Sequence, residues 1–135
     1  MQDDLVQYSV EDVEGVRLIR VLFPRVLTPS TMPEAYSQYL ALWENDLPTA
    51  VLVDMSRLEE MPADAKRALH VLLGRIAILT NFVASAWMQP SHAGIAAVLA
   101  DLLRDAGGQR TIFTAEDDAL AYLRDRIAAR RLRAE

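Results

Sequence analysis

The 135-residue chain has no cysteine, two histidines, five glycines and a single lysine, Lys66. The absence of cysteine excludes a disulfide framework, a thiolate nucleophile, a zinc knuckle and an iron–sulfur cluster. The five glycines, Gly15, Gly74, Gly94, Gly107 and Gly108, are too scattered to form a GxGxxG turn or a P-loop. No apolar run approaches the 18 or so uninterrupted residues of a membrane span, and the opening Met1-Gln2-Asp3-Asp4 lacks the basic start and apolar run of a signal peptide. A cytoplasmic location without membrane insertion is the expectation. What is abundant is apolar: 52% of residues are hydrophobic, enough for residues 1–135 to fold around one core as a single domain.

Charge is unevenly distributed. Residues 1–64 carry 12 acids and 4 bases, whereas residues 65–135 carry 7 acids and 10 bases, for a net charge of −5. Thirteen arginines and 20 alanines point to a GC-rich coding bias. Arg124, Arg126, Arg130, Arg131 and Arg133 crowd the last turns of the chain, where a helix dipole favours cations. Nucleic-acid binding would need a basic face interleaved with aromatic side chains, and Tyr122 is the only aromatic nearby. No nucleic acid is expected as a partner.

The periodicity gives an element order. Leu5 to Val10 alternates and Val16 to Phe23 is rich in branched residues, so the two read as an antiparallel hairpin separated by Glu11 to Gly15. Thr31-Met32-Pro33-Glu34 is a capping box that starts a helix with Tyr36, Leu40, Trp43 and Leu47 on its apolar face, ended by Pro48. Thr49 to Met55 is apolar throughout and suits a strand covered on both faces. A second helix follows Pro62, with Ala65, Ala68, Leu69, Leu72 and Ile76 inward and an end near Asn81. Phe82 to Met88 forms the next strand. Ser91 caps a third helix with Ile95, Val98, Leu99, Leu102 and Ala106 inward, closed by Gly107-Gly108. Thr111 to Phe113 is a last strand, and the helix after it turns Leu120, Leu123 and Ile127 inward. The order β-β-α-β-α-β-α-β-α implies an α/β fold: a mixed, mostly parallel sheet of about five strands with helices packed on it.

Three stretches carry a family resemblance. Val51-Leu52-Val53-Asp54-Met55-Ser56 followed by Met61-Pro62-Ala63-Asp64-Ala65, then Met88-Gln89-Pro90, and finally Ile112-Phe113-Thr114-Ala115-Glu116-Asp117-Asp118-Ala119-Leu120 resemble the STAS domain of sulfate transporters and anti-sigma-factor antagonists. The resemblance spans nearly the whole chain. It implies a bacterial regulatory module that docks a protein partner, such as a regulator or a kinase-like protein, through the loop after the third strand. Ser56, Arg57, Leu58, Glu59, Glu60, Met61 and Asp64 are the partner-binding candidates, expected to be exposed on a rigid frame. In antagonists of the family the first serine of that loop is phosphorylated; its place here is taken by Ala63, which has no hydroxyl. The chain thus resembles the divergent, stand-alone branch without the serine switch, akin to lipid-transfer domains.

Nothing in the pattern points to an enzyme. Ser91 and His92 are neighbours at a helix start, which suits capping rather than catalysis. The acids Asp54, Glu59, Glu60 and Asp64 lack the basic partner that a phosphoryl site requires, so no metal site and no cofactor are expected. The competing function is a small lipophilic-ligand or lipid-binding domain. Its pocket would be lined by Met55, Met61, Trp87, Met88 and His92, gathered at the carboxyl ends of the third and fourth strands. A homodimer is left open by the sequence.

Overall fold

A computed structural model describes residues 6–27, 32–43, 47–77, 82–105 and 111–134, with backbone alone at 32–36, 76–77 and 131–134. The elements run β1 (Gln7–Val13), β2 (Val16–Leu22), α1 (Met32–Leu42), β3 (Thr49–Asp54), α2 (Ala63–Ala77), β4 (Phe82–Met88), α3 (Ala93–Asp105), β5 (Ile112–Phe113) and α4 (Glu116–Ala134). The strands form one sheet in the order β1-β2-β3-β4-β5. β1 is antiparallel to β2 and every later pairing is parallel. The expected fold class and order of elements are those observed.

The hairpin is tighter than its sequence suggests. Pairing continues to Val13 opposite Val16, so the turn is only Glu14-Gly15 rather than the five residues from Glu11. Both turn residues have positive φ, 54° and 83°. That is the two-residue turn whose twist matches the strands it joins, and glycine is suited to its second position. The Gly15 N–H donates to Asp12 Oδ1 at 3.0 Å, securing the turn from the β1 side.

The two faces of the sheet differ because the strand residues alternate in size. One face presents Ile19, Val21, Val51, Val53 and Trp87 to a core completed by side chains from α1, α2 and α3. The other presents Ala50, Leu52, Ala84 and Ala86, on which α4 lies through Ala119, Leu123 and Ile127. Small side chains on both partners let that helix approach closely. α4 reaches β3, β4 and β5, while the α4-side residues of β1, namely Gln7, Ser9 and Glu11, are exposed.

On α1 the buried residues are Tyr39 and Trp43, with Leu40 half-buried; Leu47 lies beyond the helix and is 53% exposed. This corrects the expected face: the helix ends at Leu42, before Pro48 can act as its stop. The Tyr36 side chain lies outside the described residues, as do Leu5, Thr31, Ile76, the region 78–81 where α2 was expected to end, and Ala106 to Gly108. Tyr8 stacks on Tyr39, Tyr39 meets Trp43 edge-on, and Trp43 stacks on Phe82, each with centroids 6.1 Å apart. Burial pushes the hydroxyl pKa of Tyr8 and of Tyr39 upward. The indole N–H of Trp43, buried without a well-formed hydrogen bond, lies near enough to Tyr39 to offset part of that rise.

Candidate functional site

The loop from Ser56 to Pro62 joins β3 to α2, at the carboxyl end of a parallel strand. Its first turn is built by Asp54, whose Oδ1 accepts from the Ser56 N–H at 2.9 Å and from the Ser56 hydroxyl at 2.6 Å. An aspartate folding its own downstream backbone in this way is a stable turn former. The Leu58 N–H then donates to the Met55 carbonyl at 3.0 Å.

A second segment braces the loop from the side. The N–H groups of Glu59 and Glu60 both donate to the Arg25 carbonyl, at 2.7 and 3.2 Å, and the Leu27 N–H donates to the Glu60 carbonyl at 3.1 Å. Val26 and Glu60 thereby form a short parallel bridge outside the main sheet. From the other side the Ser91 hydroxyl donates to the Ser56 carbonyl at 3.1 Å. The loop is tied to the chain before α1 and to the chain before α3.

The expected binding residues separate into two sets on this frame. Arg57, Glu59 and Glu60 are exposed, Ser56 and Met61 are half-buried, and Asp64 is exposed in the first turn of α2. Leu58 is a correction: it is fully buried in the core, so it anchors the loop and presents nothing to a partner. Asp64 accepts from Arg67 Nη2 at 2.7 Å, a highly exposed pair that adds little to stability. Ala63 is exposed at the first residue of α2, and the structure offers no hydroxyl at that position.

The lipophilic set is not gathered into one space. Met55 and Trp87 are packed into the core beneath α1, α2 and α3, with Met61 half-buried against it. Met88 points to the opposite face, under α4, because it is the next residue along the same strand. The Trp87 indole N–H donates to Ser85 Oγ at 3.2 Å. His92 is exposed, and its Nδ1 accepts from the Ile95 N–H at 3.3 Å. His92 rather than Ser91 is therefore the cap of α3, since Ser91 is spent on Ser56.

Asp54, Glu59, Glu60 and Asp64 do not converge, and among the described residues no group of three or more histidines and acids could hold a metal ion. A groove does exist on the α4 side of the sheet, with a volume of about 270 Å³, lined by Gln7, Ser9, Arg20, Leu22, Asp54 and Glu116. Arg20 spans it, donating to Glu11 at 2.8 Å and to Glu116 at 3.1 Å. The polar residues of β1 on that face were its only sequence signal.

No family model and no curated protein matches the sequence. Solved structures do share its fold. An anti-sigma factor antagonist from Mycobacterium paratuberculosis is 20% identical, with a TM-score of 0.61 over 90% of this chain and 96% of the other. The murine Solute Carrier 26 family member A9 anion transporter, in its inward-facing state, is 17% identical, with a TM-score of 0.59 over 85% of this chain and 18% of the transporter. Among the described residues no helix is long and apolar enough to cross a membrane.

Proposed function

With the fold established as that of a STAS domain, we propose that the protein is a non-enzymatic regulatory module that docks a protein partner through the β3–α2 loop and the first turn of α2. The observation that carries this reading is the bracing of the loop. Arg57, Glu59 and Glu60 are displayed to solvent on a backbone pinned by Leu58, by Arg25 to Leu27 and by Ser91. A surface ordered before binding loses little entropy on association, which favours affinity without a large buried area. The partner is a regulator or kinase-like protein in the cytoplasm.

Docking by this module runs without a phosphate switch. Ala63 cannot accept a phosphoryl group, and Asp64 places a permanent negative charge in the same helical turn. The Ser56 hydroxyl is engaged by Asp54, beside which a phosphate would meet like charge. Stoichiometric phosphate on Ser56 in protein from its native cells would return the module to the phospho-regulated class.

The direct test is partner capture by wild type and by the double variant Glu60→Arg, Met61→Ala. The variant should lose the partner while its melting temperature falls by only a few degrees, since Glu60 is exposed and Met61 is half-buried at the edge of the core. Equal capture by both proteins would show that another surface docks the partner.

A further inference from the structure

Among the described elements β1 pairs with β2 alone, so it is an edge of the sheet. A bare edge templates a further strand unless proline, lysine, a bulge or a short length blunts it. The opposite edge is blunted in this way, because β5 is only Ile112–Phe113. β1 is not: its seven residues, Gln7–Val13, include no proline and no lysine, and they keep an unbroken register against β2.

The direction of the β1 backbone groups follows from β2. The Arg17 and Phe23 N–H groups donate to the Pro48 and Asp54 carbonyls on the β3 side. Backbone groups alternate along a strand, so Val16, Leu18, Arg20 and Leu22 turn theirs toward β1. Their opposite numbers are Val13, Glu11, Ser9 and Gln7, which leaves Tyr8, Val10 and Asp12 directing theirs to the outer edge. The tight turn at Glu14-Gly15 requires the same phase. At the middle of this outward row Val10 is 44% exposed.

The row is complementary to itself. To use these groups, an antiparallel pairing with β1 of a second copy must set even-numbered residues opposite even-numbered ones. Centred on Val10, it sets Val10 opposite Val10, Tyr8 opposite Asp12, Ser9 opposite Glu11 and Gln7 opposite Val13. The whole strand is used and no like charges are opposed. Centring on Glu11 would set acid on acid, and centring on Ser9 would leave Asp12 and Val13 with no strand residue opposite. Both acids already have a donor in their own chain, Glu11 from Arg20 at 2.8 Å and Asp12 from the Gly15 N–H at 3.0 Å.

We infer that the chain forms a two-fold dimer by antiparallel β1–β1 pairing, which joins the two five-stranded sheets into one. Val10 lies on the axis, exchanges both backbone hydrogen bonds with its counterpart and packs its side chain against it. On the α4 side Gln7, Ser9 and Glu11 are exposed, so α4 does not obstruct the approach. No residue of the pairing belongs to the β3–α2 loop, and the dimer stands or falls independently of the docking function. Each copy carries a net charge of −5, so long-range repulsion opposes an attraction that backbone and apolar groups supply.

Sedimentation equilibrium of the full chain tests this. A dimer should be present, and its dissociation constant should fall roughly threefold or more between about 0.05 M and about 0.5 M salt, as the repulsion is screened. Val10→Pro removes only an outward N–H, at a place where an edge strand accepts proline, and should be monomeric with the circular dichroism of the folded protein. Val10→Glu, which opposes like charges on the axis, should be monomeric as well. The chain has no cysteine, so introduced thiols report the register. Ser9→Cys and Glu11→Cys proteins, mixed and treated with oxidised glutathione, should form the mixed disulfide well ahead of either homodimer, because residues opposite in a pair without hydrogen bonds lie about 4.5 Å apart at Cα. A wild-type monomer at every concentration would leave the edge to another occupant and overturn the inference. So would a dimer that tolerates both Val10 variants, a dimer that salt weakens, or disulfides formed without preference.

Discussion

Replacing Leu58 by alanine tests the idea that this residue, and not the polar side chains around it, holds the β3–α2 loop in place. Leu58 is fully buried, so its side chain loses all contact with water on folding. Burying a leucine stabilises by about 1.5–3 kcal/mol through transfer alone, and truncation to alanine adds the energy of the space left behind, for a total of about 2–5 kcal/mol. The loop can relax very little into that space, because the Glu59 and Glu60 N–H groups are held by the Arg25 carbonyl and the Leu58 N–H is held by the Met55 carbonyl within the turn itself. A loss of about 3 kcal/mol is therefore expected, equivalent to a fall of roughly 10 °C in melting temperature for a domain of this size. Leu58→Met, which nearly conserves volume, should lose less than about 1.5 kcal/mol. Urea unfolding with an unchanged slope is the appropriate assay, since it separates stability from a change in the denatured state. A loss for Leu58→Ala below about 1 kcal/mol would refute the reasoning, because a solvent-facing leucine behaves that way.

Three further outcomes follow from other parts of the molecule. At the hairpin turn, Gly15→Ala should destabilise by about 1–2 kcal/mol because a side chain is strained at a φ of 83°, and Glu14→Asn, which tolerates positive φ better, should raise the melting point slightly in a thermal scan. At the start of α3, His92→Ala should lose about 0.5–1 kcal/mol by removing the acceptor for the Ile95 N–H, while His92→Asp should restore or exceed wild-type stability in the same unfolding assay. Because burial raises the Tyr8 and Tyr39 pKa values, their protons are held more tightly in the folded state than in the unfolded one. Their contribution is complete below the ordinary tyrosine value of about 10 and is lost as pH climbs beyond it, so alkaline unfolding should coincide with tyrosinate absorbance and shift to higher pH in Tyr39→Phe.

Periodicity was sufficient for the order of elements because each strand and helix has one strongly apolar side. It was weaker wherever a neighbour in space decides the outcome. An isolated leucine among Arg57, Glu59 and Glu60 reads as part of an exposed loop, and only the segment Arg25 to Leu27 laid beside it shows why Leu58 turns inward. Ser91 carries the residue type of a cap, yet its hydroxyl reaches across to Ser56 and the capping role passes to His92. On α1, the stripe through Leu40 and Trp43 was legible, but Tyr39 on the same side was missed and Leu47 falls beyond the end of the helix and is exposed. The position of the β3–α2 loop was legible, while its bracing and the groove beside Glu116 belong to tertiary structure.

The strand order β1-β2-β3-β4-β5 repeats the order of the chain itself. Each strand after β1 has a partner already made when it leaves the ribosome, and none of these later strands must wait for one that has yet to be synthesised. The sheet can grow by accretion from a local hairpin, a route that keeps the loops to be closed short at every step. In such a sequence α4 arrives last, so the apolar floor of Ala50, Leu52, Ala84 and Ala86 stays open until synthesis is nearly complete. Nascent chains released before residue 116 should therefore be the ones that chaperones retain.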